Sequence, residues 1–181
     1  MKRFLFILAL CLPFLASAQE SPYTIKDGKV VVEKVCPFSI PKADASAAVN
    51  SFFVTKLVDS NETLKNASED YYVAKVVTQT IGSHSMGQWT IRGEVTIEVR
   101  FKEDRMKVSL SCGNMINKSA TNRKDYSPVE ASPIAEKHNV MKTGVTKKAA
   151  DEAFQNLILY MSDVIAEIEK AVNVAKVEDD W

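Results

Sequence analysis

Histidine is almost absent from this chain: there are two in 181 residues, His84 and His138. They fall in separate polar stretches, and no His, Cys, Asp or Glu cluster shows metal-ligand spacing, so no metal centre is expected and both read as surface residues. Ser83-His84-Ser85 places a hydroxyl beside a base. The strained turn and the third, orienting group that nucleophilic catalysis needs are not signalled, so it reads as a hairpin loop. Glycine is scarce too, at six residues. None builds a phosphate-cradling loop or a G-x-G-x-x-G turn, so no nucleotide cofactor is expected. On these grounds no catalytic, cofactor-binding or metal-binding residue is assigned.

Cysteine is limited to Cys11, Cys36 and Cys112, which excludes a disulfide-dense scaffold. Cys36 and Cys112 either form one bridge or pack as two buried thiols; the choice depends on whether their Cα atoms lie within about 4.4 to 6.8 Å. Charge of one sign is lacking as well, with 23 Lys and Arg against 23 Asp and Glu. Nothing in that balance recruits nucleic acid or an anionic membrane. No apolar run reaches the roughly 20 residues of a membrane-spanning helix.

What the chain does have begins at its N-terminus. Lys2 and Arg3 precede an apolar run from Phe4 to Leu15 and the small residues Ala16, Ser17 and Ala18, the three-part layout of a secretory signal. Cleavage after Ala18 leaves Gln19 first, about 160 residues in all, enough for one hydrophobic core and hence a single domain over 19–181. Lipidation at Cys11 fits poorly, because bulky Leu10 precedes it and apolar residues continue after it. The expected destination is the periplasm or the exterior.

Along the mature chain, the turn pair Asp27 and Gly28 leads into a valine-rich strand from Lys29 to Cys36 that Pro37 ends. From Pro41, Ala45, Ala48, Val49, Phe52, Phe53 and Leu57 recur at helical spacing, with Asp44 suited to the first turn. Residues 59–69 are polar and aperiodic and read as a surface loop. Asn61, Asn66 and Asn117 begin glycan-acceptor patterns that are read as chance matches.

Tyr71 to Ile81 reads as a second strand, turned by 82–87. Trp89, Ile91, Val95, Ile97, Val99 and Phe101 then alternate with polar residues, as do Met106, Val108, Leu110 and Cys112 after the turn at Glu103 and Asp104. This is a long hairpin with one apolar face. Residues 113–144 have no sustained period and are expected to be irregular, with a short edge strand or a helical turn near 133–139. A broad apolar stripe from Ala150 through Leu157, Met161 and Ile168 to Val172 marks a closing helix over about 146–175. Its spacing also suits a coiled coil, but the hairpin's apolar face needs a cover. The fold class is α+β: an antiparallel sheet in β-α-β-β-β-α order with both helices on one face.

Asp27-Gly28-Lys29-Val30-Val31-Val32, then Phe38-Ser39-Ile40-Pro41 leading into a helix, the long meander and the closing helix resemble a secreted Bacteroidota family of unknown function. That family has a TATA-binding-protein-like fold. The resemblance implies a Gram-negative envelope setting and no known activity. Its fold name suggests nucleic acid, but Glu94 and Glu98 among Arg92, Arg100, Arg105 and Lys107 suit cross-strand ion pairs better than phosphate contacts.

Two functional classes remain, with a structural one beside them. The first is a non-catalytic binding module of the envelope, for an envelope protein or a small ligand, using residues 114–144 or the face carrying Arg92, Arg100, Arg105 and Lys107. The second is a hydrolase drawing on scattered carboxylates such as Asp70 or Glu130. The third is a structural oligomer assembled through the last helix. The acidic end, Glu178 to Asp180 before Trp181, reads as a solvated terminus.

Overall fold

Asp27 and Gly28 make the first turn of the chain. In the computed structural model, which describes residues 21–56, 64–68, 70–119, 126–130 and 147–178, both are left-handed, with φ of 50° and 73°. A two-residue turn of this kind carries the twist that flanking strands need. It joins β1 (Thr24–Lys26) to β2 (Lys29–Pro37). The signal segment, Cys11 and Gln19 lie outside the described residues.

The carbonyl of Pro41 accepts the amides of Asp44 and Ala45, opening helix α1 (Lys42–Lys56). Its Ala45, Val49, Phe52 and Phe53 are buried as their spacing requires. The loop expected over 59–69 is corrected in part, because β3 (Leu64–Ser68) pairs with β4 (Tyr71–Val77). An edge strand is held by its backbone ladder on one side and needs no apolar alternation to mark it. The loop expected over 82–87 likewise begins with β5 (Gly82–His84). That strand pairs with the start of β6 (Trp89–Lys102) through a turn in which Ser85, Met86 and Gly87 are all left-handed.

β6 and β7 (Arg105–Ser119) form the expected long hairpin, with its turn at Glu103 and Asp104. The expectation of irregular structure from 113 onward fails over 113–119, while the short edge strand expected within 113–144 is found at 126–130. Gly113 and Asn114 of β7 together oppose Glu94 of β6, a bulge after which pairing resumes at Gly93 and Met115. The extra residue moves the buried phase from Met106, Val108, Leu110 and Cys112 to Met115 and Asn117. Such a phase change hides a continuing strand from a period-two reading. β8 (Tyr126–Glu130) pairs with this second half of β7; residues 131–146, with His138, lie outside the described residues. Asn117, the first residue of one glycan-acceptor pattern, is wholly buried.

Among the described residues the sheet has eight antiparallel strands in the order β1-β2-β7-β6-β4-β3, with β5 beside β6 and β8 beside β7. Helix α2 (Lys147–Glu178) lays Ala150, Ala153, Leu157, Met161, Ile168 and Val172 on it. Both helices share one core with the inward residues of β2, β4, β6 and β7. Each larger aliphatic buried there contributes roughly 1.5 to 3 kcal/mol. The stripe on α2 therefore covers the sheet of its own chain. Gly82 lets the helix come close, since a Cβ there would lie 2.8 Å from Cβ of Ala153. Asn156 Nδ2 donates to the Ile81 carbonyl at 2.7 Å beside it.

Of the two arrangements open to Cys36 and Cys112, the register excludes the bridge. Cys36 stands opposite Met106 and Cys112 opposite Val30. The two are six residues apart along β2, on the order of 20 Å, far beyond the ~7 Å limit for a disulfide. Both thiols are free and buried.

Candidate binding surface

Alternation along β6 and β7 sends every second side chain away from the helices, onto an open face. The register arranges that face in rows. One row runs Val35 of β2, Lys107 of β7, Arg100 of β6 and Tyr71 of β4. The row nearer the hairpin turn holds Arg105 and Lys102 opposite each other. The row on the other side holds Glu33, Ser109, Glu98 and Val73.

The cross-strand ion pairs expected within the hairpin are not what the register delivers. Arg100 faces Lys107, Lys102 faces Arg105, and Glu98 faces Ser109. Neutralisation comes instead from the side. Lys107 Nζ reaches Glu33 of β2 at 3.0 Å, and Lys26 of β1 reaches the same carboxylate at 3.2 Å. Arg100 meets Glu98 two residues back along its own strand at 3.3 Å. Its guanidinium also lies over the Tyr71 ring, 5.1 Å from the centroid. The hydrogen bond from Lys107, then that from Lys26, holds the Glu33 carboxyl below its ordinary range, against the opposing pull of burial.

These side chains line an open concavity of about 750 Å³ with Val35, Tyr71, Arg100, Lys107, Arg105 and Lys102 on its walls. A smaller hollow of about 290 Å³ adjoins it at Glu98, Arg100, Lys107 and Ser109. The rim is fixed from behind: Lys42 of α1 pairs with Asp70, and the Asp70 carbonyl accepts the Phe101 amide at 3.0 Å.

Of the residues singled out from sequence, Arg100, Arg105 and Lys107 come together and Arg92 does not. Arg92 lies opposite Ile116, past the bulge, eight residues from Arg100 along β6 and on the order of 25 Å away. Sequence reading missed Lys102, because the apolar alternation ends at Phe101, although Lys102 continues the outward phase of Arg100. It also missed Glu33, Val35 and Tyr71, which only the strand order brings alongside.

Asp70 and Glu130 do not converge. Asp70 is tied to Phe101, whereas Glu130 is opposite Asn114 at the bulge. The separation is on the order of 20 Å along the sheet, against the roughly 5 to 9.5 Å of a hydrolytic carboxylate pair. Among the described residues no group of three His, Cys, Asp or Glu is placed to hold a metal, and no helix is long and apolar enough to cross a membrane.

An antiparallel sheet with two helices on one face and an open face opposite is the TBP-like α+β fold. The chain is similar to the crystal structure of a TBP-like protein from Parabacteroides distasonis, with a TM-score of 0.60 and 11% identity, over 83% of this chain and 96% of that one. It is similar also to a DUF4468 family protein from Bacteroides ovatus, with a TM-score of 0.60 and 14% identity, over 84% and 91% of the two chains. No family model and no curated protein matches the sequence. At these identities the likeness is one of fold, and it is the fold that the sequence resemblance implied.

Proposed function

We propose that this chain is an exported binding module of the cell envelope, without catalytic activity of its own, that receives an anionic group at the turn end of its open sheet face. Export rests on the basic, apolar and small-residue segments of 1–18. The recognition reading rests on one observation: two like-charge cross-strand pairs, Arg100 with Lys107 and Lys102 with Arg105, stand in adjacent rows of one concavity. Like charges directly opposite destabilise a sheet, and such departures from local consistency concentrate where a surface has work to do. Glu33 and Glu98 offset the charge of Lys107 and Arg100, and an anion on that surface relieves the repulsion that remains, chiefly at Lys102 and Arg105.

Calorimetric titration with pyrophosphate and with hexaglutamate at low ionic strength tests the reading. Both bind the native protein weakly, and a variant with Arg100, Lys102, Arg105 and Lys107 all changed to Gln binds neither. Equal heats from the two proteins, or none from either, would falsify the assignment.

A further inference from the structure

We infer that the occupant of this surface is an extended segment of a partner protein in which one acidic side chain is flanked, two residues away on each side, by apolar ones. This rests on the anion-binding reading above and adds the kind of molecule that carries the anion.

The spacing of the row carries the argument. Neighbouring strands lie about 4.8 Å apart, so Val35 and Tyr71, at the two ends of a four-strand row, are separated by about 14 Å. An extended chain rises about 3.4 Å per residue and turns every second side chain to one surface, so its first, third and fifth side chains also span about 14 Å. A segment crossing the strands therefore sets its central side chain over Lys107 and Arg100 and its outer two over Val35 and Tyr71. Val35 is 56% exposed, an apolar shoulder with no cover among the described residues.

At the centre both cations are already ordered, Lys107 by Glu33 and Arg100 by Glu98 and the Tyr71 ring. A carboxylate arriving there meets donors whose rotamer freedom is already reduced, which favours binding. Lys102 and Arg105, one row towards the turn, add attraction at a distance of about 7 Å.

Other anions fit less well. The side chains of Lys107, Arg105 and Arg100 are 47%, 53% and 66% exposed, so a lone phosphate gains little from such screened contacts. A lipid tail needs a continuous apolar patch, and here two cations interrupt it between Val35 and Tyr71. A nucleic-acid backbone needs a longer basic stripe, and the next row presents Glu33 and Glu98.

Fluorescence anisotropy with a labelled peptide built on a Leu-Thr-Glu-Thr-Leu core tests this on the native protein at low ionic strength. Changing the peptide's Glu to Gln, or Arg100→Gln in the protein, weakens binding severalfold, the scale of one exposed charge pair. Val35→Ser weakens this peptide severalfold but leaves hexaglutamate unaffected, and Arg92→Gln changes neither. If hexaglutamate binds as well as the patterned peptide and Val35→Ser is silent, the segment inference is overturned while the anion-binding reading stands. If phosphatidylglycerol vesicles or a short oligonucleotide displace the peptide and bind more tightly, it is overturned in favour of that class. If neither the peptide, hexaglutamate nor pyrophosphate binds, both readings fall.

Discussion

Lys102 of β6 and Arg105 of β7 face each other at the turn end of the long hairpin, two cations at the last ladder position before the turn. Arg105 leans on its neighbour Asp104 at 3.7 Å, while Lys102 has no ion pair among the described residues. One step further along, Arg100 and Lys107 repeat the arrangement. The hairpin therefore holds together despite its turn end, on the strength of its buried face, where Val95, Ile97, Val99, Val108 and Leu110 are fully excluded from water.

Replacing Lys102 by Glu converts a repulsive pair into an attractive one. The variant is expected to be more stable by about 0.5 kcal/mol, within the range measured for cross-strand pairs on exposed sheet faces. It is also expected to bind hexaglutamate more weakly. Urea unfolding and the titration described above read the two effects separately. A loss of stability in Lys102→Glu would show that the repulsion across Lys102 and Arg105 is already screened away.

Glu33 links this surface to pH. Hydrogen bonds from Lys107 and then Lys26 lower its carboxyl below the unperturbed 4.5. A group whose folded value is depressed contributes stability that is complete above the unfolded value and lost as pH falls through the folded one. Stability should therefore drop below about pH 4.5, and Glu33→Gln should remove that part of the acid slope while leaving the slope near neutrality unchanged. The same variant removes the carboxylate that competes with an incoming anion for Lys107, an effect larger than the ordering Glu33 gives that side chain, so the groove should bind anions more tightly at pH 7. Chemical unfolding of both proteins at several pH values checks the first effect, and anisotropy checks the second.

The hairpin, both helices and the side of the sheet they cover were legible because each rests on a sustained period: two in β6 and the first half of β7, helical in α1 and α2. β1 was signalled only by its turn, since three residues are too few to show alternation, although an Asp-Gly pair before a strand is itself a hairpin cue. The second half of β7 was lost at the Gly113 and Asn114 bulge, where the buried phase changes parity. The binding surface was legible as separate residues and not as a place. Whether Arg100 meets a carboxylate or Lys107 depends on register, and Glu33, Val35 and Tyr71 arrive from strands far away in the chain. Arg92 looked equivalent to Arg100 because strand phase gives the face of a residue and leaves its distance along the sheet unused.

The two glycines under α2 should differ in what they tolerate. A Cβ on Gly82 would meet Cβ of Ala153 at 2.8 Å, its Cα at 3.3 Å and the Ala149 carbonyl at 3.4 Å, so only a shift of the helix makes room. A Cβ on Gly93 would meet Leu157 Cδ1 at 2.9 Å, the far end of a flexible side chain. Gly82→Ala is expected to cost about 1 to 3 kcal/mol, the usual scale of overpacking, and Gly93→Ala less than half of that. Thermal or urea unfolding ranks them. The reverse order would mean that α2 sits more loosely over β5 than its contacts with Ile81 and Gly82 require.

Cys112 makes the alkaline limit of the fold testable. Burial pushes its thiol up to about 12 from an unperturbed 9.0, and the Cys36 thiol is raised by burial as well. For an acid whose folded value is raised, the unfolded chain ionises first. Its contribution to stability is intact below about pH 9 and declines as pH climbs from there towards 12. Cys112→Ala should flatten that decline while lowering stability slightly at neutral pH through the lost packing. At pH 7 neither thiol should react with iodoacetamide until the protein is unfolded, because the thiolate is the reactive form and both sulfurs are enclosed. Intact mass should show neither label nor the loss of two hydrogens, even after passage through an oxidising compartment. Rapid native labelling of Cys112 would mean that β7 opens locally next to its bulge. Labelling of Cys36 alone would place the opening at the β2 end instead, where Phe38 and the Asp104 carbonyl close the ladder.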